Sequence, residues 1–267
     1  MSLKKYRTIK VIQDYPLSRV EIVEWRGKKY ILKSVPKIWD AQIKRQDYLA
    51  KHCQEPFIPR IHRIQTIKGR KFFLMDFIQS DNQRISDETY IKTLGAFHAQ
   101  TTKVKSKLFP VYDFSALKHE FSKINTLLPT KLRKLLKTEV KGLEDVFRLQ
   151  TSVVHGDWVR AQLMGNKGKY WIIDFEMAFY GPSILDHAHF FLGQKTISRS
   201  ILSLLGVDKQ TFHKARIVEA LRKIGWFVWF MENKFTTYKF GPEIKEYVAT
   251  LERLMGGSSS KDSPSPD

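Results

Sequence analysis

The sequence predicts an α+β protein of two lobes, a small β-rich N-terminal lobe followed by a larger, mainly helical one. Three observations predict it. Short alternating runs broken by Gly-containing turns fill the first eighty residues or so. Helical spacing dominates from Ser86 onward. A short polar joint separates the two regimes, and a single β-rich interruption, residues 151–174, divides the helical part.

The elements follow in order. Residues 8–35 read as β-structure: Val20-Glu-Ile-Val-Glu-Trp25 alternates for most of its length, Arg26-Gly-Lys28 is a turn, and Tyr30-Ile-Leu-Lys-Ser-Val35 is a second strand that Pro36 ends. Residues 38–53 have helical spacing through Ile38, Ala41, Ile43, Tyr48 and Leu49, closed by Pro56 and Pro59. A second β-pair, 61–67 and 72–78, flanks a turn at Lys68-Gly69-Arg70. Residues 79–84 are polar and read as a linker. Ser86 is placed to cap a helix running through His98 and Thr101. Further helices are expected over 131–149, 184–193, 209–234 and 242–255, and a disordered Gly/Ser/Pro tail over 256–267. The expected domains are therefore an N-lobe at 1–78, a linker at 79–84, a helical C-lobe at 85–255 and the tail.

Composition bounds the function. The chain has 267 residues, 42% of them hydrophobic, enough for a sizeable core. No apolar run approaches the roughly 20 residues that span a bilayer. The first residues carry charge without an apolar stretch, so no secretory signal is expected and a cytoplasmic location is. One cysteine, Cys53, excludes an internal disulfide framework and fits a reducing compartment. The net charge of +19 points to anionic partners: nucleotide phosphates, a polyanion or an acidic surface. Lys131-Leu-Arg-Lys-Leu-Leu-Lys137 is the densest basic segment, read either as a solvated amphipathic face or as a docking surface for a polyanion.

The chemistry-bearing stretch is Val153-Val-His-Gly-Asp-Trp-Val-Arg-Ala-Gln-Leu-Met164 with Tyr170-Trp-Ile-Ile-Asp-Phe-Glu176. One apolar run ends at His155-Gly156-Asp157, and a second ends at Asp174. The amide of Gln162 lies between them, and a hairpin through Gly165 to Gly168 would bring the two acids together. Phosphoryl transfer uses such a set: one carboxylate to orient the attacking hydroxyl, a second with an amide oxygen to hold Mg²⁺, and a lysine on a neighbouring strand for the phosphates. Singly, each Asp would read as a cap or turn residue; the joint spacing carries the reading.

His155-Gly156-Asp157 together with Asp174-Phe175-Glu176 resembles the catalytic and metal motifs of the aminoglycoside phosphotransferase family. Ile173-Asp-Phe-Glu-Met-Ala-Phe-Tyr-Gly-Pro-Ser-Ile-Leu-Asp-His-Ala-His-Phe190 is similar to the choline/ethanolamine kinase branch and to bacterial spore-coat kinase-like proteins. The resemblance covers residues 8 to about 254. It implies a two-lobed protein-kinase-like fold, ATP and Mg²⁺ as cofactors, and a hydroxyl acceptor, either a small molecule or a surface-associated anionic group. By position it implies Asp157 as catalytic base, Asp174 and Gln162 as Mg²⁺ ligands and Lys33 as the phosphate anchor. It also implies Asp76-Phe77-Ile78 as the adenine hinge, with Leu163 and Met164 beneath the base. Asp186 and His155 would brace the catalytic loop.

The chain departs from the family in two places. Gln162 stands where the family has Asn. In the first helix, where the family has a Glu to pair with the lysine, this chain has Gln46 or Asp47, of which Asp47 is the charged candidate. These departures keep a second reading open, a pseudokinase that binds nucleotide or serves as a scaffold. Arg160, three residues after Asp157, would meet the γ-phosphate or an anionic substrate, or is a surface arginine. Gln13-Asp-Tyr-Pro-Leu-Ser18 occupies the place of a glycine-rich loop. His187 and His189, two residues apart, fall on different helix faces. The aromatics Trp226, Phe227, Trp229 and Phe230 read as core or as one wall of a pocket. The positive charge disfavours polycationic acceptors.

Overall fold

The computed structural model describes residues 6–15, 18–36, 40–54, 57–81, 84–104, 106–233 and 239–256. Outside these residues lie the expected helix start at Ile38, Pro56, part of the loop at Gln13–Ser18, part of the 79–84 linker and the tail beyond Gly256.

By its internal contacts the chain forms two compact units, Met1–Pro110 with Ser152–Tyr180, and Val111–Thr151 with Gly181–Asp267. The first unit is built on five antiparallel strands: β1 (Arg7–Asp14), β2 (Arg19–Trp25), β3 (Lys28–Pro36), β4 (Ile61–Ile67) and β5 (Arg70–Asp76), in the order β1-β2-β3-β5-β4. The hairpins close with the same device. Arg26-Gly27 and Lys68-Gly69 both place two successive residues at positive φ, the turn whose twist matches that of the strands it joins. Val23, Leu32 and Leu74 form the buried face of the sheet, with Trp25, Tyr30 and Phe72 packed against them.

The helix α1 (Asp40–His52) follows β3. It buries Ile43, Gln46 and Leu49, positions three residues apart that share one face. Cys53, just beyond its end, donates its N–H to the Leu49 carbonyl at 2.8 Å and remains a free thiol. Burial pushes that thiol up to about 12.

The helix α2 (Asp87–Thr101) starts as expected at Ser86, whose hydroxyl accepts from the Thr89 N–H at 3.1 Å. Tyr90, Ile91, Leu94, Phe97 and His98 form its buried face, so His98 is a core histidine of this unit. The remaining strands of the chain are β6 (Thr151–Val154), the hairpin β7 (Leu163–Asn166) and β8 (Lys169–Ile172), and β9 (Phe179–Pro182). Lys167-Gly168 turns that hairpin with the same pair of positive φ values.

The second unit is helical: α3 (Phe114–Ile124), α4 (Thr130–Glu139), α5 (Ile184–Phe190), α6 (Arg199–Leu205), α7 (Lys209–Glu232) and α8 (Gly241–Gly256). The helix expected over 131–149 ends early. Residues Val140–Arg148 continue as a 3-10 helix. Leu143 and Val146, three apart, are its buried residues, a spacing that suits three residues per turn better than 3.6. On α4, Leu132 and Leu136 are buried, while Lys131, Lys134 and Lys137 are exposed.

The long helix α7 buries charge as well as apolar surface. Arg222 makes two 2.7 Å hydrogen bonds to Glu219, both nearly inaccessible, and His189 Nδ1 lies 3.0 Å from Glu219. His187 and His189 are both buried on α5. Tyr112 donates its hydroxyl to Glu120 at 2.6 Å. Of the aromatic set, Phe227 and Phe230 are core, whereas Trp229 is 43% exposed. Among the described residues no helix is long and apolar enough to cross a membrane.

Candidate active site

Asp157 sits in the loop after β6, which is fixed by contacts of His155, Gly156 and Trp158. The buried ring of His155 uses Nε2 on the Ile173 carbonyl at 2.8 Å. Its other nitrogen lies 3.4 Å from the Asp157 N–H, so with Nδ1 as acceptor the imidazole bridges the end of one strand and the loop after another. Gly156 has φ +82, and a Cβ there would stand 2.4 Å from the Met177 carbonyl oxygen. Only glycine tolerates both the conformation and the approach. Trp158, 1% exposed, then packs between the rings of His155 and Tyr90 at 5.5 and 6.0 Å.

The β7–β8 hairpin sets the second half. Its register pairs Leu163 with Ile172 and Met164 with Trp171. One step beyond, the Ile173 N–H is donated to the Gln162 carbonyl at 3.0 Å, which sets Gln162 directly beside the residue preceding Asp174. Asp174 takes the left-handed conformation, φ 72, at the head of a 3-10 turn, Phe175–Met177. A non-glycine residue at such a φ is uncommon and favours Asp and Asn. Phe175, 1% exposed, anchors the turn against Phe97 and His155.

Lys33 comes from the middle of β3, paired with Phe73 of β5 and Val20 of β2. It is 7% exposed. Its Nζ lies 2.6 Å from Asp174 Oδ1, across 141 residues of chain, and is also ion-paired with Glu176. Burial is the largest single influence on Lys33 and pulls its pKa down, yet the two carboxylates outweigh it and hold the pKa above the ordinary lysine value. Burial pushes Glu176 up to about 7, against the pull of Lys33.

The other expected residues are placed as follows. Asp76 ends β5 with its carboxylate accepting from the Arg60 N–H at 3.0 Å and lying 2.6 Å from His62 Nε2. Phe77 lies beneath the Lys29 ammonium at 5.9 Å, and Ile78 follows it, half-buried. Leu163 is buried and Met164 half-buried. Arg160 is 55% exposed, ion-paired with Asp87 and stacked over Tyr90 at 5.1 Å, while its carbonyl accepts from the Tyr90 hydroxyl at 2.7 Å. Asp47 does not reach Lys33. It is paired with Lys51 one turn on, at 2.7 Å. Gln46 is buried and gives its amide N–H to the Pro59 carbonyl at 3.2 Å. The charged partner of Lys33 that the sequence placed on α1 is thus Glu176, two residues after Asp174, whose position in the Asp-Phe-Glu run was its only signal. In the second unit Asp186 is fully buried in the first turn of α5.

Gln162 Oε1 is buried and has no hydrogen-bond partner in the protein. An orphaned carbonyl oxygen of this kind calls for a ligand. A hard cation suits it, with Asp174 nearby in the hairpin register. Among the described residues no three or more His, Cys, Asp or Glu side chains are grouped to hold a metal.

A five-stranded sheet with one helix, joined to a His-Gly-Asp loop and an acid-bearing hairpin, defines a kinase-like fold, and solved structures of that fold superpose on nearly the whole chain. A thermostable mutant of the aminoglycoside phosphotransferase APH(4)-Ia, in a ternary complex with AMP-PNP and hygromycin B, is 11% identical with a TM-score of 0.69, covering 97% of each chain. A choline/ethanolamine kinase family protein from Mesorhizobium loti is 12% identical with a TM-score of 0.64, over 92% of this chain and 87% of that one. The amicoumacin kinase hAmiN, solved with AMP-PNP, Ca²⁺ and its antibiotic, is 12% identical with a TM-score of 0.59, over 94% and 89%. A search of curated protein sequences gives no significant match. The profile of the phosphotransferase enzyme family matches residues 9–202, and the chain belongs to that family.

Proposed function

We propose that the protein transfers the γ-phosphoryl group of ATP to a hydroxyl of a small-molecule acceptor. The observation that carries this reading is the 2.6 Å contact between Lys33 and Asp174, with Gln162, whose amide oxygen is buried without a partner, bonded through its backbone carbonyl to the residue before Asp174. In this reading Asp157 accepts the proton of the acceptor hydroxyl as its oxygen bonds to phosphorus and the bridging P–O bond to ADP breaks. Lys33 leaves Asp174 for the α- and β-phosphates. Asp174 and Gln162 would hold Mg²⁺, which supplies charge neutralisation along the phosphates when bound. Asp76, Phe77 and Ile78 form the hinge, with Leu163 and Met164 against the adenine. The Asp76 N–H is already donated to the Arg60 carbonyl at 3.1 Å, which leaves Phe77 and Ile78 to meet the base. Arg160, tied to Asp87 and Tyr90, holds the loop that carries Asp157. The net charge of +19 favours a neutral or acidic acceptor over a polycation.

A second reading rests on Gln162. Its stem is one methylene longer than the family's Asn, and Mg²⁺ geometry is strict. If the longer stem misplaces the ion, the chain is a pseudokinase that binds nucleotide with little turnover. Thermal denaturation with and without Mg²⁺·ATP, on wild type and Asp174→Ala, tests the site. A rise in Tm in wild type alone supports it; no rise in wild type at millimolar Mg²⁺·ATP overturns both readings. Nucleotide turnover that disappears in Asp157→Ala separates the enzyme from the pseudokinase.

A further inference from the structure

A buried lysine that must later hold phosphates needs a standing counter-charge, because an ammonium taken out of water without one costs several kcal/mol. Asp174 supplies half of it, but Asp174 is also the candidate cation ligand. The family's remedy, a carboxylate on the first helix, is missing: Gln46 is turned to Pro59 and to the Met75 sulfur at 3.3 Å, and Asp47 is on the outer face with Lys51. Glu176 fills the gap. Its side chain is 21% exposed against 8% for Lys33, and the two form an ion pair. Lys33, Ile43, Gln46, Phe73, Phe175 and Glu176 line one small cavity, so Gln46 faces the pair without joining it.

The polarity of α1 is reversed as well. Instead of a carboxylate directed at Lys33 it offers Arg45, whose Nε donates to the Leu108 carbonyl at 2.7 Å and whose Nη1 donates to the Glu176 carbonyl at 3.4 Å. The side chain of Glu176 thus holds the lysine while α1 holds the backbone of Glu176.

We propose that Glu176 is the positioning residue for Lys33, in place of the missing helix carboxylate, and that Arg45 secures Glu176 in that role. The lysine is then tethered to the same turn that begins with Asp174, so the phosphate anchor and the cation ligand move as one body. This deepens the nucleotide-site reading given above and rests on it for its functional meaning, though the tether itself does not.

The test uses the full chain and two readouts. The first needs no nucleotide: the rate at which trinitrobenzenesulfonate modifies Lys33, followed by peptide mass spectrometry. Glu176→Gln, nearly isosteric, is expected to speed that modification by about 10-fold, as is Arg45→Met to a smaller degree, since every tenfold corresponds to 1.4 kcal/mol of lost restraint. Rates equal to wild type in both variants overturn the proposal. Arg45→Met also serves if Glu176→Gln fails to fold, because it leaves both charges in place. The second readout is the affinity of a fluorescent ATP analogue with Mg²⁺. It is expected to fall about 10-fold in Glu176→Gln and to return to within about 3-fold in the double variant Glu176→Gln/Gln46→Glu, which restores a carboxylate on α1. A variant that binds the analogue as wild type does overturns the positioning role. Faster Lys33 modification in a protein whose wild type binds no nucleotide would sink the nucleotide reading and leave the tether standing.

Discussion

The Ile173 N–H is donated to the carbonyl of Gln162 at 3.0 Å. This one backbone bond, a step past the end of the β7–β8 ladder, ties the backbone of Gln162 to the residue that precedes Asp174. It also makes the side chain of Gln162 testable apart from its backbone. Gln162→Leu removes a buried oxygen that has no partner, so the ligand-free protein is expected to gain up to about 1 kcal/mol, while the added stabilisation by Mg²⁺·ADP is expected to disappear. Gln162→Asn is expected to keep it. Melting temperatures with and without Mg²⁺·ADP check both, and a Leu variant that still responds to Mg²⁺·ADP would remove Gln162 from the site.

Lys33→Met deletes a buried cation between two partly exposed carboxylates. Truncating one side of a buried ion pair costs about 3–5 kcal/mol, and the half-exposed Asp174 lowers that to roughly 1–3 kcal/mol here. Chemical denaturation should show the loss, and nucleotide affinity should fall by at least about tenfold. Unchanged affinity would separate Lys33 from the phosphates.

Gly156→Ala puts a Cβ against the Met177 carbonyl at 2.4 Å and holds an alanine at φ +82. The conformational part alone costs about 1–3 kcal/mol. The expected outcome is a lower midpoint in urea and a turnover loss larger than that of a surface Gly→Ala change such as Gly142→Ala. Equal effects from the two would mean that the His-Gly-Asp loop yields freely.

Glu120 predicts a pH dependence in the second unit. Burial raises its pKa to about 7, with the Tyr112 hydroxyl and Arg222 pulling the other way and Glu219 adding to the rise. Its folded pKa exceeds the unfolded value of 4.5, so its contribution is fully present below about pH 4.5 and is lost as pH rises through about 7. Glu120→Gln keeps an acceptor for Tyr112 and removes the ionisation. The variant is expected to gain roughly 1–3 kcal/mol on wild type between pH 5 and pH 8. Parallel Tm curves across that range would refute the assignment.

Much of this was legible in the chain. Alternation and Gly turns marked the hairpins, Ser86 announced α2, and the Gly165 to Gly168 segment between Gln162 and Asp174 anticipated the β7–β8 hairpin. Helical spacing could not tell which way α1 is rotated about its axis. That rotation is set by packing: Ile43 and Leu49 go to the core, Gln46 is taken with them, and Asp47 is left outside. The partner of Lys33 was hidden for that reason. The 3-10 stretch after α4 was hidden because a three-residue period and a 3.6-residue one look alike over nine residues.

Cys53 has a practical consequence. It is the only cysteine in the chain, and burial pushes its thiol up to about 12. At neutral pH almost none of it is thiolate, the form that reacts with maleimides and iodoacetamides. Cys53 is therefore expected to react with such probes more slowly than an exposed cysteine would. A second cysteine introduced at an exposed position, such as Gly142, is expected to take a spin label or dye faster than the native thiol, which a comparison of labelling rates in wild type and variant checks.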